Sequence, residues 1–182
     1  DTTKPFLFSI GEIKRKKNFH VMLDAMKQMP EYNFYLAGKD NTPYAEEIKK
    51  RIKNENITNV FLTSIITQGE KIWFYNHCYA FVFPSLFEGF GLPIIEALFF
   101  KKPVISSQET SLKEIGNDAV FFLDNFSPEH IAQVTKEKSA YFYEHPEFAE
   151  RNLEYANSFS YKKHMEKYIE IYQEMLACEP KN

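Results

Sequence analysis

Six short apolar runs, each followed by a segment of helical periodicity, limit what this chain can fold into more than any other feature. The runs are residues 6–10 (FLFSI), 33–37 (NFYLA), 59–63 (NVFLT), 79–83 (YAFVF), 103–106 (PVIS) and 120–123 (VFFL). They are short, rich in aromatic and β-branched residues, and mostly apolar on both faces. Strands of a parallel sheet covered from both sides read this way. The intervening segments predict helices over 18–29, 43–56, 68–78 and 92–101, followed by three at 127–145, 146–158 and 160–177. In the first of these, Phe19, Met22, Leu23, Met26 and Met29 fall on one stripe, and Asn18 is the expected N-cap. Pro93 falls in the first turn of its helix, where a missing N–H costs nothing.

Strand–helix alternation repeated in this way implies right-handed crossovers and a doubly wound α/β sheet. The expected architecture is Rossmann-like and three-layered, with strand order 3-2-1-4-5-6. Residues 1–158 would form this domain, and 159–182 a C-terminal helix. At 182 residues and 44% hydrophobic, the chain suits one domain with a substantial core. The opening DTTKP reads as the remainder of a linker, which predicts a domain taken from a longer protein.

That strand order selects two loops. Strands one and four flank the switch point, and ligands bind beyond the C-terminal ends of strands there. The first loop, 11–18 (GEIKRKKN), opens on Gly11 and carries Lys14, Arg15, Lys16 and Lys17 just before a helix N-terminus. Unpaired N–H groups and lysines together suit a diphosphate. A solvated basic loop is the competing reading. The second loop belongs to residues 83–97 (FPSLFEGFGLPIIEA), where Glu88 and Glu96 bracket Gly89 and Gly91. The glycines allow backbone conformations that other residues resist and let a ligand approach the main chain. Glu88 would sit in the turn. Glu96 would lie about one helical turn in, roughly 6 Å further along. Carboxylates so placed accept paired hydroxyls, and hydroxyls at both ends of a diphosphate describe a nucleotide sugar. A loop acid and a helix-dipole acid are the competing readings of the two.

Other classes are excluded. A formal net charge of −3 argues against a general nucleic-acid binder. Cys78 and Cys178 make neither a disulfide framework nor a zinc spacing and fit a reducing cytosol. The five histidines match no ligand spacing. No apolar run approaches the ~18 residues of a membrane span.

Residues 81–107 (FVFPSLFEGFGLPIIEALFFKKPVISS) resemble the C-terminal domain of the group 1 (family 4) glycosyltransferases of the GT-B fold. The family's mark is a glutamate, seven residues and a second glutamate, here Glu88 to Glu96. The segments 6–26, 34–39 and 111–124 look like its first βα unit, its second strand and turn, and its last βα turn and strand. The resemblance implies retaining transfer of a sugar from a nucleotide-sugar donor, with no cofactor and no metal. Carried over by position, Glu88 would bond the donor sugar's hydroxyls and support an oxocarbenium-like transition state. Glu96 would hold the ribose, and Lys17 would stabilise the leaving diphosphate. Backbone N–H groups of Phe90, Gly91 and Leu92 would contact the sugar or diphosphate, and Ile65, in the segment after strand three, would line the base pocket.

Two departures stand out. Where the family often has an arginine directly after the first-loop glycine, this chain has Glu12. A carboxylate does not bind phosphate, so either Glu12 points away or Arg15 or Lys16 takes the arginine's place. The family's N-terminal domain, which carries the acceptor site, is also absent, and residues 160–177 look like the helix that returns to pack on it. Its apolar residues would then be partly exposed or repacked on this domain.

The expected protein is the donor-binding half of a bacterial transferase making a surface glycan from a UDP- or GDP-linked sugar. Its acceptor would be a glycan or lipid-linked. It would be cytoplasmic and at most peripheral to the inner face of the membrane. A non-catalytic binding module on the same fold is the alternative. A nucleotide-sugar epimerase is disfavoured by the lack of matching acids and histidines.

Overall fold

The computed structural model describes residues 3–177. Six strands form one parallel sheet in the order β3-β2-β1-β4-β5-β6. They are β1 (Phe6–Ile10), β2 (Asn33–Ala37), β3 (Val60–Ser64), β4 (Ala80–Phe83), β5 (Val104–Ser107) and β6 (Phe121–Leu123). The helices are α1 (His20–Lys27), α2 (Pro43–Asn54), α3 (Gln68–His77), α4 (Leu92–Phe99), α5 (Leu112–Gly116), α6 (Pro128–Glu144), α7 (Glu147–Asn157) and α8 (Tyr161–Ala177). β1 is flanked by β2 and β4, with Phe8 opposite Tyr35 on one side and Phe81 on the other.

The both-faces-apolar pattern has a direct physical cause. Successive strand residues point to opposite faces. Leu7, Leu36, Val82 and Ile105 enter one buried cluster with residues of α1, α2 and α6. Phe8, Ala37, Phe81, Phe83 and Val104 enter the other, with residues of α3, α4, α5 and α7. Phe8, Phe81 and Phe83 are fully enclosed, and burial of each contributes about 1.5–3 kcal/mol.

Several helix starts follow the expected chemistry. Thr42 and Ser127 accept N–H bonds from Ala45 and His130, and Thr67 with Glu70 forms a reciprocal capping box. Pro93 stands in the first turn of α4 as expected. Asn18 does not cap α1. A 3-10 turn, Arg15–Lys17, closes immediately before it, and Asn18 takes the left-handed conformation with φ 58°. Its side chain is therefore not placed to reach the amides of α1, which starts from Phe19 with no side-chain cap. Short α5 has no counterpart among the predicted helices, because five residues carry too little periodicity to show.

The last helix, α8, has no buried residue. Tyr161, Met165, Tyr168, Ile169, Tyr172, Met175 and Leu176 are all exposed, so of the two alternatives the apolar face is open rather than repacked. A hollow of about 910 Å³ lies between α8 and Phe90, Leu92 and Ile115. Cys178 lies outside the described residues. No helix of the described residues is long and apolar enough to cross a membrane.

Candidate functional site

The two switch-point loops are joined to each other through their main chains. The Lys16 carbonyl accepts the Leu86 N–H at 2.7 Å and the Ser85 hydroxyl at 3.2 Å. Ser107, from β5, donates in turn to the Ser85 carbonyl. Loop one is thus fastened along the start of loop two, which sets where their side chains meet.

Gly11 and Gly38 let the backbone leaving β1 and the backbone leaving β2 approach closely. A Cβ on Gly38 would fall 2.0 Å from the Gly11 carbonyl oxygen, at a φ of +137° that L side chains rarely adopt. At Gly11 a Cβ would stand 3.3 Å from Lys17 Cε and 3.4 Å from its Nζ. The bare backbone therefore gives the lysine side chain a surface to lie across.

Lys17 Nζ reaches Glu88 Oε1 at 2.5 Å, with the two side chains only 12% and 11% exposed. The ammonium also stands 4.9 Å from the centroid of the Phe83 ring. Shielding from water strengthens both attractions. An ammonium has three donors, so bonding to Glu88 leaves two for other acceptors.

The turn beyond Glu88 is held on its main chain by the β5–α5 connection. Thr110 Oγ1 accepts the Glu88 N–H at 3.1 Å, and Ser111 Oγ lies 3.1 Å from the Glu88 and Phe90 carbonyls. Gly91 has φ +105°, and a Cβ there would fall 2.9 Å from Leu112 Cδ2. Gly89 differs from the expectation. It has no positive φ, and a Cβ on it would meet nothing within 4 Å. Nothing in the fold requires that glycine, and it borders open space. Phe90 and Leu92 are exposed at the same mouth.

Glu96 has partners that sequence reasoning missed. The Tyr75 hydroxyl donates to its Oε2 at 2.9 Å, and Lys71 Nζ bonds its Oε1 at 2.6 Å. Burial pushes the Tyr75 hydroxyl well above its ordinary pKa, with the Glu96 charge adding to the effect, so it stays a proton donor. A carboxylate offers about four lone-pair sites, so Glu96 can still accept hydroxyls from a ligand. Lys71 and Tyr75 are four apart on α3, which puts them on one helical face. That spacing was the available signal. Beside Glu96 lies a hollow of about 330 Å³ lined by Lys71, Ile72, Tyr75, Leu92 and Phe99.

The other loop-one charges go elsewhere. Glu12 pairs with Lys14 at 2.7 Å, and the lysine's hydrogen bond holds the Glu12 carboxyl below its usual range. Arg15 does not join Lys17. It bonds Glu47 on α2 at 2.7 Å and lies over the Tyr44 ring. Lys16 Nζ stands 5.8 Å from the Phe87 ring centroid, close to loop two. Ile65 is 75% exposed just past β3, where Ser64 takes φ 57°. Among the described residues no group of three or more His, Cys, Asp or Glu is placed to hold a metal ion.

A shielded ammonium–carboxylate pair, spare N–H donors and a second ordered carboxylate can bind a polyhydroxylated anion. The family model "Glycosyl transferases group 1" matches residues 1–173. The serotype-specific mannosyltransferase WbdA of Escherichia coli is 33% identical over 125 residues, 64% of this chain and 15% of its own. The D-rhamnosyltransferase WbpZ of Pseudomonas aeruginosa is 29% identical over 157 residues, 82% of this chain and 39% of its own. Among solved structures, sucrose-phosphate synthase from Thermosynechococcus elongatus superposes with a TM-score of 0.84 at 20% identity, covering 98% of this chain and 47% of that one. The chain spans less than half the length of each of these proteins.

Proposed function

The chain belongs to the group 1 glycosyltransferases and has the fold of the C-terminal half of a GT-B enzyme, and from that premise we propose that it binds the nucleotide-sugar donor of a retaining hexosyltransferase. The observation that carries this reading is the Lys17–Glu88 pair, shielded at the switch point and bordered by the open space at Gly89. Lys17 turns its remaining donors to the diphosphate. Glu88 accepts hydroxyls of the sugar, and Glu96, ordered by Tyr75 and Lys71, accepts those of the ribose.

In the transfer step the bond from the sugar's anomeric carbon to the diphosphate oxygen breaks. The acceptor hydroxyl bonds that carbon on the same face, and its proton passes to the departing phosphate. Lys17 offsets the charge growing on that phosphate, and Glu88 supports the positive charge growing on the sugar. The acceptor, a glycan or a lipid-linked chain, is held by an N-terminal domain against which the apolar face of α8 packs. In this reading residues 1–158 are the donor domain, and 159–182 belong functionally to the interface with the other half. The likeness to a mannosyltransferase and a D-rhamnosyltransferase supports a hexose or deoxyhexose, carried on UDP or GDP, for a bacterial surface polysaccharide made at the cytoplasmic side.

Calorimetry with a panel of UDP- and GDP-sugars and the free nucleoside diphosphates tests the reading. Binding with a thermal shift is expected for at least one of them. Absence of heat and of any shift at millimolar ligand overturns it.

One observation favours a second reading, a non-catalytic module. Glu12 brings a carboxylate, paired with Lys14, to the loop that receives the diphosphate. Glu12→Arg in the full-length protein separates the two. A gain of transfer from an inactive start supports the module, and transfer already present with Glu12 supports the enzyme.

A further inference from the structure

Thr110 adopts φ 50°, the left-handed region, in the connection between β5 and α5. For a β-branched residue this conformation is strained, and glycine would occupy it freely. Packing does not hold Thr110 there, because the residue is exposed. Its hydroxyl is what the position uses. Oγ1 accepts the Glu88 N–H at 3.1 Å and donates to the Glu88 carbonyl at 3.2 Å, closing a two-way clamp on one residue's main chain.

The next two residues extend the grip. Ser111 Oγ reaches the carbonyls of Glu88 and Phe90, serving one at a time with its single proton. Leu112 packs under Gly91. Residues 110–112 thus hold 88, 90 and 91 through main chain and packing. Strain retained at an exposed position, where a glycine would remove it, points to a role in the neighbouring site rather than in the core.

We propose that Thr110 is the positioning residue of the Glu88 turn. It sets the tilt of the Glu88 main chain, so that the carboxylate meets Lys17 and the donor sugar while the Phe90–Leu92 amides face the same ligand. The inference rests on the donor reading for its consequence, but the clamp can be measured without any ligand.

The variants are Thr110→Gly, which frees the backbone and deletes the hydroxyl, and Thr110→Ser, which keeps it. The first readout is exchange of the Glu88 amide proton, followed by NMR in the free protein. The second is the ratio of affinities for a nucleotide sugar and its nucleoside diphosphate, which isolates the sugar's share of binding. Thr110→Gly is expected to speed Glu88 amide exchange and lower the affinity ratio, each by roughly fivefold to tenfold, the worth of one to two hydrogen bonds. Thr110→Ser is expected to restore both. A third variant, Thr110→Ala, removes the hydroxyl without glycine's backbone freedom and is expected to lose both, which a purely conformational effect of the backbone would not do. Unchanged Glu88 exchange in Thr110→Gly overturns the clamp. Faster exchange with an unchanged affinity ratio overturns the positioning role. A wild-type chain that binds no nucleotide while its Glu88 amide responds to Thr110→Gly overturns the donor reading and upholds the clamp.

Discussion

Lys17 Nζ and Glu88 Oε1 stand 2.5 Å apart although their residues are separated by 71 positions in the chain. The contact exists because the Lys16 carbonyl holds Leu86 and Ser85, so the two loops run side by side from adjacent strands. Each partner is nearly enclosed, so neither is adequately solvated alone. Lys17→Met is expected to lower stability by about 1–3 kcal/mol, because it strands the Glu88 carboxylate. It should also weaken nucleoside diphosphate binding by at least about tenfold, the worth of a charge-assisted hydrogen bond. Adding Glu88→Gln should recover part of the lost stability and none of the binding. Urea midpoints and calorimetry on the two singles and the double check both outcomes.

The glycines separate fold from ligand. Gly38→Ala drives a methyl to 2.0 Å from the Gly11 carbonyl at an unfavourable φ, and should cost about 3 kcal/mol or more. Gly89→Ala meets no protein atom within 4 Å, and should change stability by no more than about 0.5 kcal/mol. Under the donor reading, the Gly89 methyl occupies space the ligand needs, so nucleotide-sugar affinity should fall while the thermal midpoint holds. Paired thermal melts and titrations show the contrast, and an unaltered affinity would place the ligand elsewhere.

Tyr75→Phe removes one hydroxyl and keeps a ring that is stacked on Phe100. Glu96 then loses the bond that orients Oε2. Affinity for a ribonucleoside diphosphate should fall about fivefold, the worth of one hydrogen bond, and affinity for the 2′,3′-dideoxy analogue should not. Equal losses for both ligands would show that the tyrosine acts on the fold alone.

Cys78 provides a pH test. Burial pushes its thiol from an ordinary value of 9.0 up to about 12. Between those values the unfolded thiol has released its proton while the folded one retains it. The contribution to stability is therefore complete below pH 9 and is lost as pH rises toward about 12, by up to ~1.4 kcal/mol per unit. Cys78→Ala should flatten the fall in urea midpoint between pH 9 and 11, whatever its effect at neutral pH. A mass-mapped Cys78 peptide should also stay unlabelled by thiol reagents at pH 8 until the protein is unfolded.

The sheet was readable because strand and helix periodicities leave independent marks, and the crossover rule turns their alternation into an order. The predicted strands match the observed ones within a residue or so at each end. The readings that failed depended on backbone detail. Asn18 has a good capping side chain, yet it closes the 3-10 turn before it in the left-handed conformation. Gly89 looked conformationally required and is not. Arg15 lies two residues before Lys17 in sequence, and the turn directs it to Glu47 on a different element.

By itself the sequence determined the layered sheet, the switch point with its two loops, and the two glutamates around a glycine turn. These follow from local periodicity, turn chemistry and short-range spacing. Only the tertiary structure decided that Lys17, among four neighbouring cations, meets Glu88. It alone matched Glu96 with Tyr75 and Lys71, and placed Thr110 under the Glu88 turn. Those pairings join residues on different elements across tens of positions of chain. Their geometry depends on strand neighbours and loop-to-loop hydrogen bonds, for which the linear order of residues carries no periodic signal.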